Sequence, residues 1–349
     1  MSKHNFFTIF LSITLALCLI FSSAPVLALS ASSQGNPLIA YAQEVLPQIL
    51  EYHRITNPKT IVLGNSIPTY YLDNNTLRSA EYEAFPLFID GTVYSIIRQY
   101  TAQNGTTSYS CRLDARNISN IDASTGAIVY TSDSVCVTSN FANISNNRGS
   151  ITFKAPIKIT QISTQNGTAL DVPNVASLHS LSYTDEGTCS VPYISNTSTS
   201  CCPNGLCWAA CCASLANKFA GKSYTALSFH NSVNCSLYHQ SYHTYMIVFL
   251  NNAGVLTSST QYTSNLTYST LKNYVNNSQV ALLHLDSRSS NVGHYVIGYG
   301  YYTTSSGTKH FRYMDPNEGY CTAQFPSSGT VYVVASGIAY AVECYVKCY

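Results

Sequence analysis

Asn204-Gly205-Leu206-Cys207-Trp208-Ala209-Ala210 runs directly into Cys211-Cys212-Ala213-Ser214-Leu215-Ala216-Asn217-Lys218-Phe219-Ala220-Gly221. Trp208, Ala209, Cys212, Leu215, Ala216 and Phe219 recur at helical spacing, and Gly221 stands at a plausible C-cap. The spacing therefore predicts a helix from about Cys207 to Ala220, with Cys207 in its first turn. A thiol there faces the positive end of the helix dipole, which favours the thiolate, the nucleophilic form of cysteine. Such a cysteine becomes a candidate catalytic residue once a histidine stands elsewhere in the fold. Gly293-His294-Tyr295 supplies one, at the head of an apolar run.

Downstream of this helix the pattern changes from helical to extended. Tyr268 to Val275 reads as a further helix. Val280 to Leu285, Tyr295 to Tyr302, Phe311 to Met314 and Val331 to Ala335 read as strands. A helix followed by a sheet is an α+β arrangement.

Cysteine chemistry needs a thiolate, a base that also protonates the leaving group, and a group that orients the base. Cys207 is the candidate nucleophile and His294 the candidate base. Gly293 and Gly298 allow other backbone to approach the base strand. Asp315, in Tyr313-Met314-Asp315-Pro316-Asn317, follows the next strand and can accept from the second imidazole nitrogen. Asn317 is the alternative third residue, as a neutral amide. Pro316 restricts Asp315 to extended backbone.

Each residue alone has a plainer reading. Cys201, Cys202, Cys211 and Cys212 flank Cys207, and a cysteine of an exported protein is most often half of a disulfide. A histidine before a strand is usually a structural hydrogen-bonder, and Asp-Pro is usually a turn. The joint order Cys-Trp-Ala, Gly-His, Asp-Pro favours the chemical reading. A zinc site among these cysteines lacks paired Cys-x-x-Cys arms. His239 and His243, four apart, lie in a polar and aromatic segment. Cys211 and Cys212, being adjacent, are not both expected to face the core, and one is expected to pack or bond with Cys235 or a more distant cysteine. No metal site, phosphate-cradling loop or dinucleotide fingerprint is expected, and no cofactor is implied.

Three blocks resemble papain-like cysteine peptidases of the bacterial secreted kind, which are staphopain-like, AvrRpt2-like or bacteriocin-leader-peptidase-like. Leu206-Cys207-Trp208-Ala209-Ala210 resembles the nucleophile helix. Val280-Ala281-Leu282-Leu283-His284-Leu285 with Gly293-His294-Tyr295-Val296-Ile297-Gly298-Tyr299 resembles the base strand pair, and Tyr313-Met314-Asp315-Pro316 the orienting residue. The resemblance covers residues 200 to about 320. It implies a papain-like fold, acylation of Cys207 by a peptide carbonyl and hydrolysis by water. It also implies that a preceding segment covers the cleft until it is removed. The family's oxyanion glutamine, six residues before the nucleophile, is Cys201 here; Asn204 is the candidate substitute beside the backbone N–H of Cys207. Two alternatives accompany this reading. One is an inactive papain-like, Cys-rich surface module binding peptide or cell-wall material. The other is a cell-wall amidase of NlpC type.

The first half of the chain reads differently. Pro37 to about His53 carries Leu38, Ile39, Ala42, Val45, Leu46, Ile49 and Leu50 at helical spacing. Strand-like runs follow at Thr60 to Leu63, Tyr82 to Ile89, Thr92 to Tyr100, Thr107 to Leu113 and Ala127 to Tyr130, with tight-turn signals at Asp90-Gly91 and Asn104-Gly105. Residues 37–165 thus read as a helix and an antiparallel meander, the expected prodomain. Residues 166–199, rich in Ser, Thr, Asn and Gly, read as a linker or processing region, and 200–349 as the peptidase domain.

Composition frames the rest. The 349 residues carry a formal net charge of +1, which gives no drive towards nucleic acid or anionic membrane. Only 9% are charged, against 46% hydrophobic and 28 tyrosines, an extracellular type of surface. Residues 1–28 read as a secretory signal: Lys3 and His4, the uncharged run Phe6 to Phe21, and Val26-Leu27-Ala28 at the cleavage position. A secreted protein acting on peptide or protein, with no stable membrane association after signal cleavage, is expected. Of 13 cysteines, Cys18 leaves with the signal. Twelve remain, so a free Cys207 leaves an odd number for pairing. Cys111 with Cys136 is the expected disulfide, since no other cysteine lies near them in the chain.

Overall fold

The computed structural model describes residues 35–73, 76–115, 127–130, 135–138, 144–146, 149–151, 167–172, 183–197, 205–233, 243–258, 266–287, 293–326 and 330–349. Residues 41–349 form one compact unit; of those before it, 35–40 are described and open the first helix. The signal-like residues 1–28, Asn204, Cys201, Cys202, Cys235 and His239 lie outside the described residues, as do the side chains of Cys136 and His243.

Helix α1 (Pro37–His53) starts where expected. Asn36 accepts from Leu38 N through its side chain, at 3.0 Å, and Pro37 takes the first helical position, where no amide hydrogen is needed. Then come β1 (Ile61–Leu63), β2 (Thr69–Asp73), β3 (Thr76–Ser79), β4 (Glu83–Ile89), β5 (Thr92–Thr101) and β6 (Thr107–Arg112). Asp90 and Gly91 both take positive φ, 49° and 79°, and close a two-residue hairpin between β4 and β5, as their pairing in sequence requires. Strands β7 (Ala127–Tyr130), β8 (Val135–Thr138), β9 (Ile144–Asn146), β10 (Gly149–Ile151) and β11 (Thr168–Ala169) follow, then β12 (Tyr183–Thr188).

The second half holds α2 (Cys207–Phe219), α3 (Ala226–Ser232), α4 (His243–Asn252) and α5 (Tyr268–Asn276). After them come β13 (Val280–Ser287), β14 (Gly293–Thr304), β15 (Lys309–Asp315), β16 (Gly319–Gln324), β17 (Tyr332–Ala335) and β18 (Ile338–Cys348). The molecule is α+β, with helices beside a large antiparallel sheet.

That sheet crosses both halves of the chain. Its order is β11-β1-β4-β5-β6-β16-β15-β14-β13-β18-β17, with β12 also paired to β14. The seam is β6 against β16, where Cys111 faces Thr322. Residues 183–188, read from composition as linker, are therefore a strand of the main sheet. Their burial alternates but their residues are polar, so no apolar period announces them. β18, which pairs β13 on the side away from β14, lies outside the strands expected from sequence. The signal for it was present in Ser336-Gly337, whose positive φ values of 51° and 90° close the β17–β18 hairpin.

Helix α2 is covered on more than one side, by β14 and by α3 and α4. Trp208 sits among Phe229, His230 and Phe249, with ring centroids 6.4, 5.9 and 5.6 Å away. Cys211 and Cys212 are consequently both fully buried, which corrects the expectation that only one would face the core. Cys211 Sγ donates to Tyr295 O at 3.4 Å, and Cys212 Sγ lies 3.7 Å from Met246 Sδ. A second correction concerns the expected Cys111–Cys136 disulfide. Cys111 is a free thiol in the centre of the sheet, 3.0 Å from Ser95 Oγ, and burial pushes that thiol up to about 12. Among the described residues Cys189, Cys207, Cys211, Cys212, Cys321 and Cys348 form no disulfide either.

Candidate active site

Cys207 is the first residue of α2 and is half-buried. Leu206 before it provides no side-chain cap, so the amides of the first turn face the thiol uncapped by that residue. The Leu206 amide is itself held, by Asn196 Oδ1 at 2.6 Å and Thr197 O at 2.8 Å. The start of the helix is thereby fixed one residue ahead of the thiol.

His294 is the second residue of β14, paired with Leu285 of β13, and is 3% exposed. Its Nε2 donates to Asp315 Oδ1 at 3.1 Å. The Cys207 thiol lies close enough to the imidazole to favour its charged form. With Nε2 committed to Asp315, Nδ1 is the nitrogen left for the thiol. Tyr340 lies alongside the imidazole, with centroids 5.5 Å apart.

Asp315, the last residue of β15, is fully buried. Its Oδ1 accepts a second bond from Asn317 N at 2.7 Å, while Oδ2 has no hydrogen-bond partner among the described residues. Burial by itself would lower the imidazole's affinity for protons. The charge of Asp315, its hydrogen bond and the nearby Cys207 thiol outweigh that, and His294 is pushed up to about 10. Burial would likewise raise Asp315, but His294 and the Asn317 amide hold its carboxyl below the ordinary range. The pair is charged across the neutral range, imidazolium against carboxylate.

The structure gives Asn317 a different place from the imidazole. Its Nδ2 donates to Ser336 Oγ at 2.8 Å, and its Oδ1 accepts from Asn196 Nδ2 at 2.7 Å. Asn196 is the same residue that holds Leu206 N. One chain of hydrogen bonds therefore runs from the β17–β18 hairpin through Asn317 and Asn196 to the head of α2. The segment 191–197 is also fixed to the acid's turn by its backbone, Asn196 N donating to Pro316 O at 2.8 Å. Tyr193 Oη adds a bond to the same carbonyl at 3.2 Å. Gly205 is needed here. Its φ is +99°, and a Cβ would come 2.4 Å from Asn196 Nδ2.

A second brace reaches the same turn from the first half of the chain. Arg98 of β5 forms an ion pair with Glu318, both side chains fully buried, and donates to Tyr313 Oη at 3.2 Å. Glu318 Oε1 accepts from Ser336 N at 2.7 Å, and Glu318 N donates to Asp315 O at 3.2 Å. The turn 315–318 is thus held between β5, the β17–β18 hairpin and residues 193–196.

Cys207, His294 and Asp315 come together from 207, 294 and 315 in the chain. Asn204 is outside the described residues. Asn196, Arg98, Glu318 and Ser336 were not singled out from sequence. Asn196 hides in a Ser/Thr/Asn-rich stretch, but Arg98 carried a signal: a lone arginine within the apolar strand Thr92–Thr101 must find a buried partner. Chemically, the cluster can form a thiolate, give a proton to a leaving group and keep the imidazole oriented. No protein-family model matches the chain, and no curated protein matches it.

Proposed function

We propose that this protein is a cysteine peptidase of papain-like type, hydrolysing peptide bonds through Cys207, His294 and Asp315. The observation that carries the reading is the half-buried Cys207 at a helix start, beside a buried imidazole whose Nε2 is held by a buried carboxylate. In this reading the Cys207 thiolate attacks the scissile carbonyl. The carbonyl carbon becomes tetrahedral, and the amides of the first helical turn receive the oxyanion. The His294 imidazolium then gives its proton to the leaving amine as the carbon–nitrogen bond breaks. Neutral His294 next takes a proton from water, which attacks the thioester and releases the acid and the thiol. Asp315 keeps the ring in place and stabilises its charged form throughout. The signal-like residues 1–28 support export of the chain. Among the described residues no helix is long and apolar enough to cross a membrane.

Replacement of the nucleophile tests this directly. Cys207→Ser is expected to lower peptide hydrolysis on the order of 10⁶-fold, the cost of removing the nucleophile from another acyl-transfer triad. Equal hydrolysis by Cys207→Ser and the parent protein rejects the reading.

A further inference from the structure

Outside the triad, one other cluster of chemically active side chains stands out, on the neighbouring strands β13 and β18. Their pairing runs Val280↔Cys348 to His284↔Cys344 and then shifts, resuming at Leu285↔Val342. Glu343 is the extra residue, so β18 carries a bulge at this point. A bulge sets two consecutive residues opposite one partner, where regular pleating would send them to opposite faces. Glu343 and Cys344 both meet His284 in this way. The ligand atoms of His284, Glu343 and Cys344 all lie within 4.8 Å of one another. His284 Nδ1 is 2.7 Å from Glu343 Oε2. Cys344 is buried, while the Glu343 side chain is 52% exposed.

The neighbouring strand makes room for this arrangement. A Cβ at Gly293 would lie 2.8 Å from His284 Nε2, so the ring takes its position only because residue 293 is glycine. Tyr295 closes the other flank, its ring centroid 4.8 Å from that of His284.

The geometry points to a zinc-class divalent cation site formed by His284, Glu343 and Cys344. One imidazole nitrogen, one thiolate and one carboxylate suit a borderline cation such as Zn²⁺ or Co²⁺. Mg²⁺ and Ca²⁺ would favour an all-oxygen set. Coordination replaces the proton of the Cys344 thiol, which leaves to solvent. The bound cation ties β13 to β18 one residue from the strand position of His294, since His284 pairs Tyr295 and Leu285 pairs His294. This site shares no ligand with the triad and does not depend on the peptidase reading.

The experiment is titration of the full chain with ZnCl₂ and CoCl₂ in a Cys207→Ser background, which removes the triad thiol as a competing ligand. One equivalent of Zn²⁺ is expected to bind, and Co²⁺ is expected to give a thiolate-to-metal charge-transfer band. Cys344→Ser should abolish the band. His284→Ala should weaken binding on the order of 100-fold, since even an outer-shell partner carries roughly 10–100-fold. Glu343→Gln changes a half-exposed side chain and leaves the folded core intact, so it tests the site even if the buried variants fail to fold; it should weaken binding about tenfold. Absence of stoichiometric binding, a band that survives Cys344→Ser, or unchanged affinity in Glu343→Gln overturns the assignment.

Discussion

At the scale of the residue, the site turns on one proton and two charges. His294 is pushed up to about 10 because its neighbours are the Asp315 carboxylate and the Cys207 thiol, despite near-complete burial. The sign of its pH dependence follows. A group whose folded pKa lies above its ordinary value of 6.5 contributes full stability below that value, lost as pH rises through about 10. Asp315, held below its ordinary 3.8, keeps its contribution above that value and loses it as pH falls further. If catalysis uses the imidazolium, kcat/KM should hold through neutrality and fall along an alkaline limb near 10. Asp315→Asn removes the charge but keeps an acceptor, so the limb should move down towards neutrality, as a pH–rate profile would record; an unmoved limb would mean that the carboxylate does not set the imidazole. Asp315→Ala should lower kcat on the order of 10⁴-fold, the cost seen when the orienting carboxylate of another triad is removed. These three residues were legible because each carries its own local punctuation: a helix start, a Gly-His before an apolar strand, and an Asp-Pro after one.

At the scale of the element, the head of α2 is placed by residues that sequence order gave no reason to connect. Asn196 spans 10 residues to Leu206 and 121 to Asn317. Both partners lie in turns without periodicity, and a hydrogen bond between loops leaves no pattern to read. Asn196→Ala removes both bonds, and an unmade buried bond costs about 1–3 kcal/mol. As a positioning change it should lower kcat about tenfold to hundredfold with KM little moved, and leave the alkaline limb where it is. A change confined to KM would place Asn196 in substrate binding instead. Gly205→Ala should be worse than the usual glycine replacement, because it meets both the positive φ and the Asn196 amide. The helices and strands themselves were read well where one face is apolar, as in Pro37–His53 and Cys207–Phe219. Tyr183–Thr188 escapes because polar residues dominate it, and Ile338–Cys348 because it is buried on both faces and shows no alternation.

At the scale of the whole molecule, the antiparallel sheet runs without a break from the first half of the chain into the second. Sequence reading divided these at about residue 165 because composition shifts there, and composition does not report which edges pair. Through β6 and β16 the first half completes the sheet that carries His294 and Asp315, and through Arg98 it supplies the charge partner of Glu318. Arg98→Met leaves that carboxylate buried and unpaired, so it should destabilise the fold by about 3–5 kcal/mol in denaturant titration. Arg98→Met combined with Glu318→Leu should recover much of the loss. Equal stability of Arg98→Met and the parent protein would show that the pair carries no weight in holding the turn 315–318.

In the proposed function Cys207 is an activated nucleophile and not half of a disulfide. The most direct measurement is the rate of alkylation of each cysteine by iodoacetamide at neutral pH, resolved by peptide mass spectrometry, in the parent protein and in His294→Ala. Cys207 is expected to be labelled first and stoichiometrically, and His294→Ala to slow its labelling to that of an ordinary thiol. A Cys207 found in a stable disulfide, or labelled no faster with His294 than without it, would rule out an activated thiol at this position.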